Sequence, residues 1–241
     1  MRRLLAYVGR DLTRWVRGRV ALVSHLVMPA AWLIFVGLAL PIRFTDHYLD
    51  FITPGILVLT VLSTSLQGGG LLMFDKVLGF LNKFLALPAP RESILFGKIL
   101  FITLRGAIQA TIVLVIAVLI GASLYSPAQY AFMYLILFLF GALFSAAATT
   151  VALYLDDHDS YAAFNTMISM PLFFTSSALM PYSAMPGWLR AIAAVNPLSI
   201  AIDGMRAVTA GGMPLAPVGI LCILIAGVLA VCLHVFRHVT V

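Results

Sequence analysis

Few residues of this sequence have the types that could do chemistry, and none has the spacing that an enzyme or a metal site needs. The loop 156–159 holds His158 among three aspartates, but a solvated loop of this kind is more often turn material than a cation site. Cys222 and Cys232 lie in one apolar run and form no C-x-x-C pair. Gly97-Lys98 lacks the glycine-rich lead of a phosphate-binding loop, and neither H-E-x-x-H nor G-x-S-x-G occurs. We therefore expect no catalytic residue, metal or cofactor in this chain.

The elements that must position these residues are long apolar runs. Of 241 residues, 62% are hydrophobic and 10% are charged, whereas a soluble domain has about a quarter charged residues. Runs of about twenty apolar residues match the thickness of a bilayer's hydrocarbon core. Six such spans can be drawn, at about 20–40, 50–73, 97–121, 129–153, 160–180 and 216–236. The sequence predicts an all-α membrane protein, with residues 1–241 forming one transmembrane domain.

The net charge of +6 is interpreted as a mark of topology. Lysine and arginine gather in the N-terminal segment, between the second and third spans, and after the last span. Because cytoplasmic connections are enriched in these residues, both termini are predicted to be cytoplasmic, in a cell (plasma or inner) membrane. The acidic loop 156–159 disagrees with this assignment, but acidic residues contribute little to orientation.

Residues 1–19 have the pattern of an amphipathic helix. At 100° per residue, the apolar side chains and Trp15 fall within one arc, and arginines fall on the opposite side. This arrangement is typical of a helix lying in the cytoplasmic headgroup layer. The alternative is a positively charged retention signal. The residues assigned to the interfacial helix are Arg3, Arg10, Arg14, Trp15 and Arg17.

The segment 74–90 repeats this pattern on a smaller scale. Phe74 and Leu78 belong to an apolar face, whereas Asp75, Lys76 and Asn82 belong to a polar one. The prolines of Leu87-Pro88-Ala89-Pro90 then end the helix. The segment either offers contacts to a cytoplasmic partner or covers the end of the bundle.

The stretch 183–210 predicts two short helices before the last span. Pro186 suits the first turn of a helix, and Asn196-Pro197 interrupts the run. Each piece is too short to cross a bilayer, so we expect a hairpin that re-enters the outer leaflet. Asp203 and Arg206 are three residues apart and can pair. A structural plug without substrate contact is the alternative.

Ionisable residues are nearly absent from the spans, which disfavours coupling to an ion gradient. His25 and Arg105 fall near the cytoplasmic ends of their spans, where long side chains usually extend to the interface. Gln67 lies deeper and is expected to hydrogen-bond a neighbouring helix.

Four segments resemble the ABC-2-type permeases, the family of the daunorubicin-resistance and nodulation-export membrane subunits. They are the arginine-rich N-terminus, the run 48–55, the run from Phe74 to Arg91, and the hairpin with Trp188, Asn196-Pro197 and Asp203. The stretch 79–83 departs from the family, whose members are often more charged there.

The resemblance implies a transport subunit without enzyme activity. It implies a pair of permease chains, expected to be identical, and two copies of a separate cytoplasmic ATPase that binds ATP and Mg. The cargo would be an amphipathic drug, a lipid or a lipid-linked glycan. A passive channel, or a structural membrane component that docks a cytoplasmic scaffold, is the alternative.

The resemblance also assigns residues to roles. The ATPase-coupling segment would comprise Phe74, Asp75, Lys76, Leu78, Asn82, Lys83, Leu87 and Arg91. The outer gate would comprise Pro186, Trp188, Asn196, Pro197, Asp203 and Arg206. Polar residues that would face the substrate path between the two chains are Ser63, Thr64, Gln67, Asn165, Thr166, Thr175 and Ser176.

Overall fold

The computed structural model describes residues 2–36, 48–79 and 91–239. The regular elements of these ranges are all helical. In chain order the helices are α1 (Arg2–Arg17), α2 (Arg19–Ile34), α3 (Tyr48–Val77), α4 (Arg91–Leu119), α5 (Pro127–Tyr154), α6 (His158–Phe174), α7 (Gly187–Val195), α8 (Pro197–Thr209) and α9 (Leu215–Val239). A 3-10 turn, Tyr182–Ala184, precedes α7.

Four of these helices, α3, α4, α5 and α9, are long and apolar enough to cross a membrane. The pair of α7 and α8 would be a fifth candidate if both counted as one broken span. Helices α2 and α6 have 16 and 17 residues, short of the roughly 20 that a straight span needs. The all-α membrane class is therefore confirmed, while the count of six spans stays a prediction. Residues 37–40 of the first predicted span lie outside the described residues.

In the fifth predicted span, 160–180, the helix is shorter than the span, because α6 stops at Phe174. Pro171 lies within its last turn and cannot donate a backbone hydrogen bond. The Thr175 hydroxyl donates to the Pro171 carbonyl at 2.7 Å, and the Ser176 hydroxyl donates to the Phe173 carbonyl at 2.6 Å. These side chains satisfy carbonyls at the helix end, and the chain continues without helix to the 3-10 turn.

Helix α3 is longer than the predicted span 50–73. It continues through Val77, so the segment beginning at Phe74 forms the last turn of this helix and not a separate one. Gly79 follows with a φ of +71°, which ends the helix in a left-handed conformation. Residues 80–90, including Asn82, Lys83 and Leu87, lie outside the described residues.

Helix α3 is the centre of the packing. It lies against α5, α4, α6, α2 and α8, and α9 packs against α5 and α8. The core along α3 and α5 consists of fully buried side chains such as Val61, Leu62, Ile136 and Phe140.

Three consecutive glycines allow α3 to approach its neighbours closely. A β-carbon at Gly68 would lie 2.4 Å from Ile102, and one at Gly69 would lie 2.6 Å from the Ala148 carbonyl oxygen. The Tyr161 side chain of α6 reaches α3 beside Gly69, and its hydroxyl donates a hydrogen bond to the Leu66 carbonyl. Small residues at such crossings are typical of helix pairs in membranes.

Helix α1 follows the predicted segment 1–19 closely. Val8 and Trp15 are buried beside Phe101 and Ile102 of α4. The exposed arginines of its other face are Arg10, Arg14 and Arg17. Arg3 belongs to the same helix, but its side chain is outside the described part. The contact with lipid headgroups stays a prediction.

Candidate functional site

Three helices meet around Lys98 at one end of the bundle, which we name the charged end. The Lys98 ammonium of α4 lies 2.6 Å from Asp75 of α3 and 3.7 Å from Asp11 of α1. Asp11 also accepts from Arg10 at 2.7 Å. The Lys98 side chain is only 10% exposed, so these attractions are screened less than those of a surface pair. The charged end fixes α1 to the bundle.

Lys76 is held by a different helix. Its ammonium donates to the carbonyls of Leu153 and Leu155 at 2.8 and 2.9 Å, and to Asp156 at 2.9 Å. Because the last carbonyls of α5 carry partial negative charge, this lysine stabilises the C-terminus of that helix. Asp75 and Lys76 were predicted on a polar face open to a partner, and the structure places both in contacts within the chain.

The side chains that remain exposed at the end of α3 are apolar. Phe74 is 46% exposed, Val77 60% and Leu78 63%. The Phe74 ring also packs against the His158 ring, with centroids 4.6 Å apart. An apolar surface beside charged residues is the usual composition of a protein-binding site. Arg91 opens α4 nearby in the sequence, but its side chain is outside the described part.

A cavity of about 400 Å³ lies between α1, α3 and α4. Its lining includes Trp15, Leu71, Phe74, Asp75, Lys98 and Arg105. The guanidinium carbon of Arg105 lies 5.6 Å from the centroid of the Trp15 ring, a distance suited to a cation–π interaction. Arg105 was expected to extend toward the interface, and this was wrong, because its side chain is 4% exposed. The helix α1 covers it.

A second cavity, of about 270 Å³, lies between α3, α4 and α6. Gln67, Arg105 and Asn165 all line it. Gln67 and Asn165 were both predicted to face the substrate path, and in the structure both line this cavity. The buried side-chain oxygen of Gln67 has no hydrogen-bond partner there.

The other predicted path residues are scattered. Thr64 is buried inside the bundle and contacts Gln109 of α4. Ser63 is half-buried on α3, and Thr166 is exposed on α6. Thr175 and Ser176 lie at the end of α6, as described above. Their role in transport stays a prediction.

The segment predicted to form a hairpin contains α7 and α8, which are bent by 83° at Asn196; its place in the outer leaflet stays a prediction. The Asn196 side-chain oxygen accepts from the Leu198 amide at 2.9 Å and so caps α8, where Pro197 is the first residue. Its nitrogen donates to the Leu172 carbonyl at 2.8 Å and to Thr175 at 3.1 Å. One side chain therefore caps a helix and joins the hairpin to α6.

Arg206 joins the hairpin to the beginning of α3. It donates to the Ser177 carbonyl at 2.8 Å and to the Phe51 carbonyl at 3.1 Å. Its guanidinium carbon lies 3.7 Å from the centroid of the Phe51 ring. The Asp203 carboxylate is 4.0 Å away, so the predicted pair is present at a long distance.

Asp203 is held mainly by hydroxyl groups. Tyr182 donates to it at 2.6 Å, and Ser177 donates at 3.0 Å. Burial, together with this hydrogen bond and the nearby carboxylate, raises the pKa of Tyr182 to about 12. Pro186 and Trp188 face outward at the start of the hairpin, and the Trp188 side chain is 67% exposed.

Asp50 makes a contact that sequence reasoning missed. Its carboxylate accepts from the Ser123 amide at 2.7 Å and from the Ser123 hydroxyl at 2.6 Å. Burial and the Asp50 charge raise the pKa of nearby Tyr125 to about 12. This contact joins the start of α3 to the loop after α4, and no local pattern marks it because the residues are far apart in sequence. Among the described residues, no group of three histidine, cysteine or acidic side chains lies close enough to hold a metal.

Comparison with known proteins assigns a family to this arrangement. The ABC-2 type transporter family matches residues 2–209. A candidate transport permease of Cyanophora paradoxa, ycf38, is 34% identical over 84% of this chain and 72% of its own length. The daunorubicin resistance ABC transporter permease protein DrrB1 of Streptomyces coeruleorubidus is 26% identical over 94% of this chain and 82% of its own. Nodulation protein J of Rhizobium leguminosarum is 22% identical over 92% of this chain and 88% of its own.

Proposed function

The chain belongs to the ABC-2 type transporter family, and from this we propose that it is the membrane-spanning subunit of an ATP-driven exporter. The observation that carries the proposal is the family match over nearly the whole chain, on a bundle with four helices long and apolar enough to span a membrane. ATP and Mg would be bound by two copies of a separate ATPase. A second permease chain, identical to this one, would complete the pathway in the cell membrane, with all termini in the cytoplasm.

The cargo we propose is an amphipathic drug, a lipid or a lipid-linked glycan. One relative is named for resistance to daunorubicin and another for nodulation. In this chain, the exposed faces of the spans consist mostly of apolar side chains with few polar ones. Such a surface suits a cargo molecule that enters from the bilayer.

The exposed end of α3 is the proposed contact with the ATPase. Phe74, Val77 and Leu78 offer an apolar surface, and the neighbouring Asp75 and Lys76 hold that surface to α4 and α5. A movement of the ATPase would therefore act on α3 and on the charged end together.

Helix α3 is the element proposed to transmit this movement. Its 30 residues form a rod about 45 Å long. At the end opposite to Phe74, the Phe51 carbonyl accepts from Arg206 of the hairpin, and the Tyr48 hydroxyl donates to the Leu179 carbonyl at 3.1 Å. One continuous helix thus contacts the proposed coupling surface and the proposed gate, which a two-state mechanism of alternating access needs.

A reconstitution experiment tests the proposal. The chain would be placed in liposomes with its candidate ATPase, and ATP hydrolysis would be measured with and without the permease. We expect Leu78→Asp to reduce the permease-dependent hydrolysis by about tenfold, since a carboxylate buried at an interface without a partner costs more than 1.4 kcal/mol.

The matched control is Leu124→Asp, because Leu124 is 75% exposed but lies in the loop after α4, at the other end of the bundle. It should hydrolyse ATP like the wild type. If no ATPase associates with the folded wild-type chain, the exporter proposal fails and a passive channel becomes the better explanation. If one associates but Leu78→Asp has no effect, the proposed coupling surface is wrong.

A further inference from the structure

Arg105 is a buried cation without an anionic partner. Its side chain is 4% exposed, and its Nε atom has no hydrogen-bond acceptor. The ion pairs found among the described residues do not include it. The contact it does make is with the face of Trp15.

Other buried or half-buried cations in the described part of the chain lie close to carboxylate or carbonyl oxygen atoms. Lys98 has Asp75 at 2.6 Å, and Lys76 has Asp156 at 2.9 Å. Arg206 has Asp203 at 4.0 Å in addition to its carbonyl acceptors. Arg105 therefore differs from cations of comparable burial in the same molecule.

An arginine in this position keeps its charge, because its guanidinium does not deprotonate in proteins. A buried charge without a partner is strongly unfavourable, and the face of one indole offsets only part of that cost. Ionisable side chains within membrane helices accordingly mark binding sites more often than packing positions. The missing partner is expected to be an anion from outside the chain.

The cavity of about 270 Å³ between α3, α4 and α6 gives such an anion a place. Arg105 lines it together with the amide side chains of Gln67 and Asn165, and its lining contains no acidic residue. Gln67 has an unpaired side-chain oxygen in it, and an amide can turn its nitrogen to an anionic ligand instead. The cavity is open at its rim, because His158 and Ala162 are exposed.

We propose that Arg105 binds the phosphate group of an anionic lipid, whose headgroup lies in this cavity and whose acyl chains stay in the bilayer. The planar guanidinium matches a phosphate with two parallel hydrogen bonds. Drug-sized ligands occupy pockets of about 300 Å³ and more, so the cavity has room for a headgroup and not for a whole lipid. The helix α1 closes the site from the other side through Trp15.

Native mass spectrometry of the purified chain in detergent tests this proposal without any ATPase. The chain would be titrated with phosphatidylglycerol and, separately, with zwitterionic phosphatidylcholine. We expect one phosphatidylglycerol per chain to bind about tenfold more tightly than phosphatidylcholine, and Arg105→Gln to abolish that preference. Arg237→Gln is the matched control, because Arg237 is a surface arginine that pairs with Glu92 near the charged end. It should keep the preference.

Each other result overturns part or all of the proposal. Equal binding of the two lipids by the wild type would exclude a headgroup site, and an unchanged preference in Arg105→Gln would place the site elsewhere. Displacement of phosphatidylglycerol by millimolar inorganic phosphate would mean that free phosphate is the ligand. If Arg105→Gln does not fold, Arg105→Lys keeps the charge but loses the paired hydrogen bonds, and several-fold weaker binding is expected. Failure of the ATPase experiment would leave this result unaffected.

Discussion

Lys98 shows how single residues in this chain depend on distant partners. The helical period of the sequence placed Asp75 on a solvent-exposed face, because nearby apolar residues such as Phe74 and Leu78 fall on the opposite face. In the structure this carboxylate is 2.6 Å from Lys98, and Asp11 approaches the same ammonium from a third helix. A half-buried charge is unfavourable without a partner of opposite charge. Which residue becomes that partner depends on which helices pack together.

A substitution of Lys98 tests the importance of the charged end. Lys98→Met would leave Asp75 half-buried without its cation, so we expect the free energy of unfolding to fall by about 1–3 kcal/mol. Thermal unfolding in detergent, followed by circular dichroism, would measure the change. Arg237→Met is the control, since its pair with Glu92 is exposed and should contribute about 0–1 kcal/mol. Equal effects of the two substitutions would contradict a special role for the charged end.

At the scale of elements, the glycines of α3 allow neighbouring helices to pack close to its backbone. Gly69 allows the Tyr161 hydroxyl to reach the backbone of α3 and lets α5 approach at the Ala148 carbonyl. Gly227, in α9, has no atom within 4 Å of where a β-carbon would stand. Packing within the chain therefore needs a glycine at position 69 and does not need one at position 227.

These two glycines give a matched pair of substitutions. Gly69→Ala would place a methyl group 2.6 Å from a backbone carbonyl oxygen, and we expect it to lower the free energy of unfolding by about 1–3 kcal/mol through overpacking. Gly227→Ala should have no such cost and should raise helix stability by about 0.5–1 kcal/mol. Thermal unfolding of both variants, compared with the wild type, would measure these changes. A destabilised Gly227→Ala protein would show that α9 is packed more tightly than described.

At the scale of the whole molecule, α6 and α9 present different outer surfaces. The exposed residues of α6 include Thr166 among Met167, Met170 and Phe174. Those within the central part of α9, such as Ile220 and Ile223, are apolar. Lipid-facing helices need no polar side chains, whereas helices that face a partner or a water-filled path often carry a few. This difference favours α6 as the face toward the second copy of the chain that we propose.

Disulfide cross-linking would distinguish the two faces. We expect Met170→Cys to form a covalent dimer on mild oxidation in the membrane, because a residue near a two-fold axis meets its own copy. The native Cys222 is exposed on α9 and serves as the internal control, so the wild-type chain should remain a single chain on a non-reducing gel. Cross-linking of the wild type through Cys222 would instead place α9 at the interface.

Several features of the fold follow from local sequence alone. The composition and the apolar runs predict helices in a membrane, because a bilayer offers no hydrogen bonds to an exposed backbone. Asn196-Pro197 predicts the break between α7 and α8, since proline cannot continue the first helix but suits the start of the second. The amphipathic pattern of residues 1–19 predicts the helix α1, although the burial of Trp15 against α4 is seen only in the structure. Each of these depends on neighbours within a few residues.

Other features were decided only by the tertiary structure. Three such contacts join residues that are distant in sequence. Lys76 donates to the Leu153 carbonyl, Asn196 donates to the Leu172 carbonyl, and Arg206 donates to the Phe51 carbonyl. Arg105 is the clearest example, because its sequence position suggested a side chain that extends to water. The N-terminal helix α1 covers it instead. Periodicity reports which face of a helix is apolar, but whether a polar group on that helix is paired, capped or left for a ligand depends on which helices pack around it.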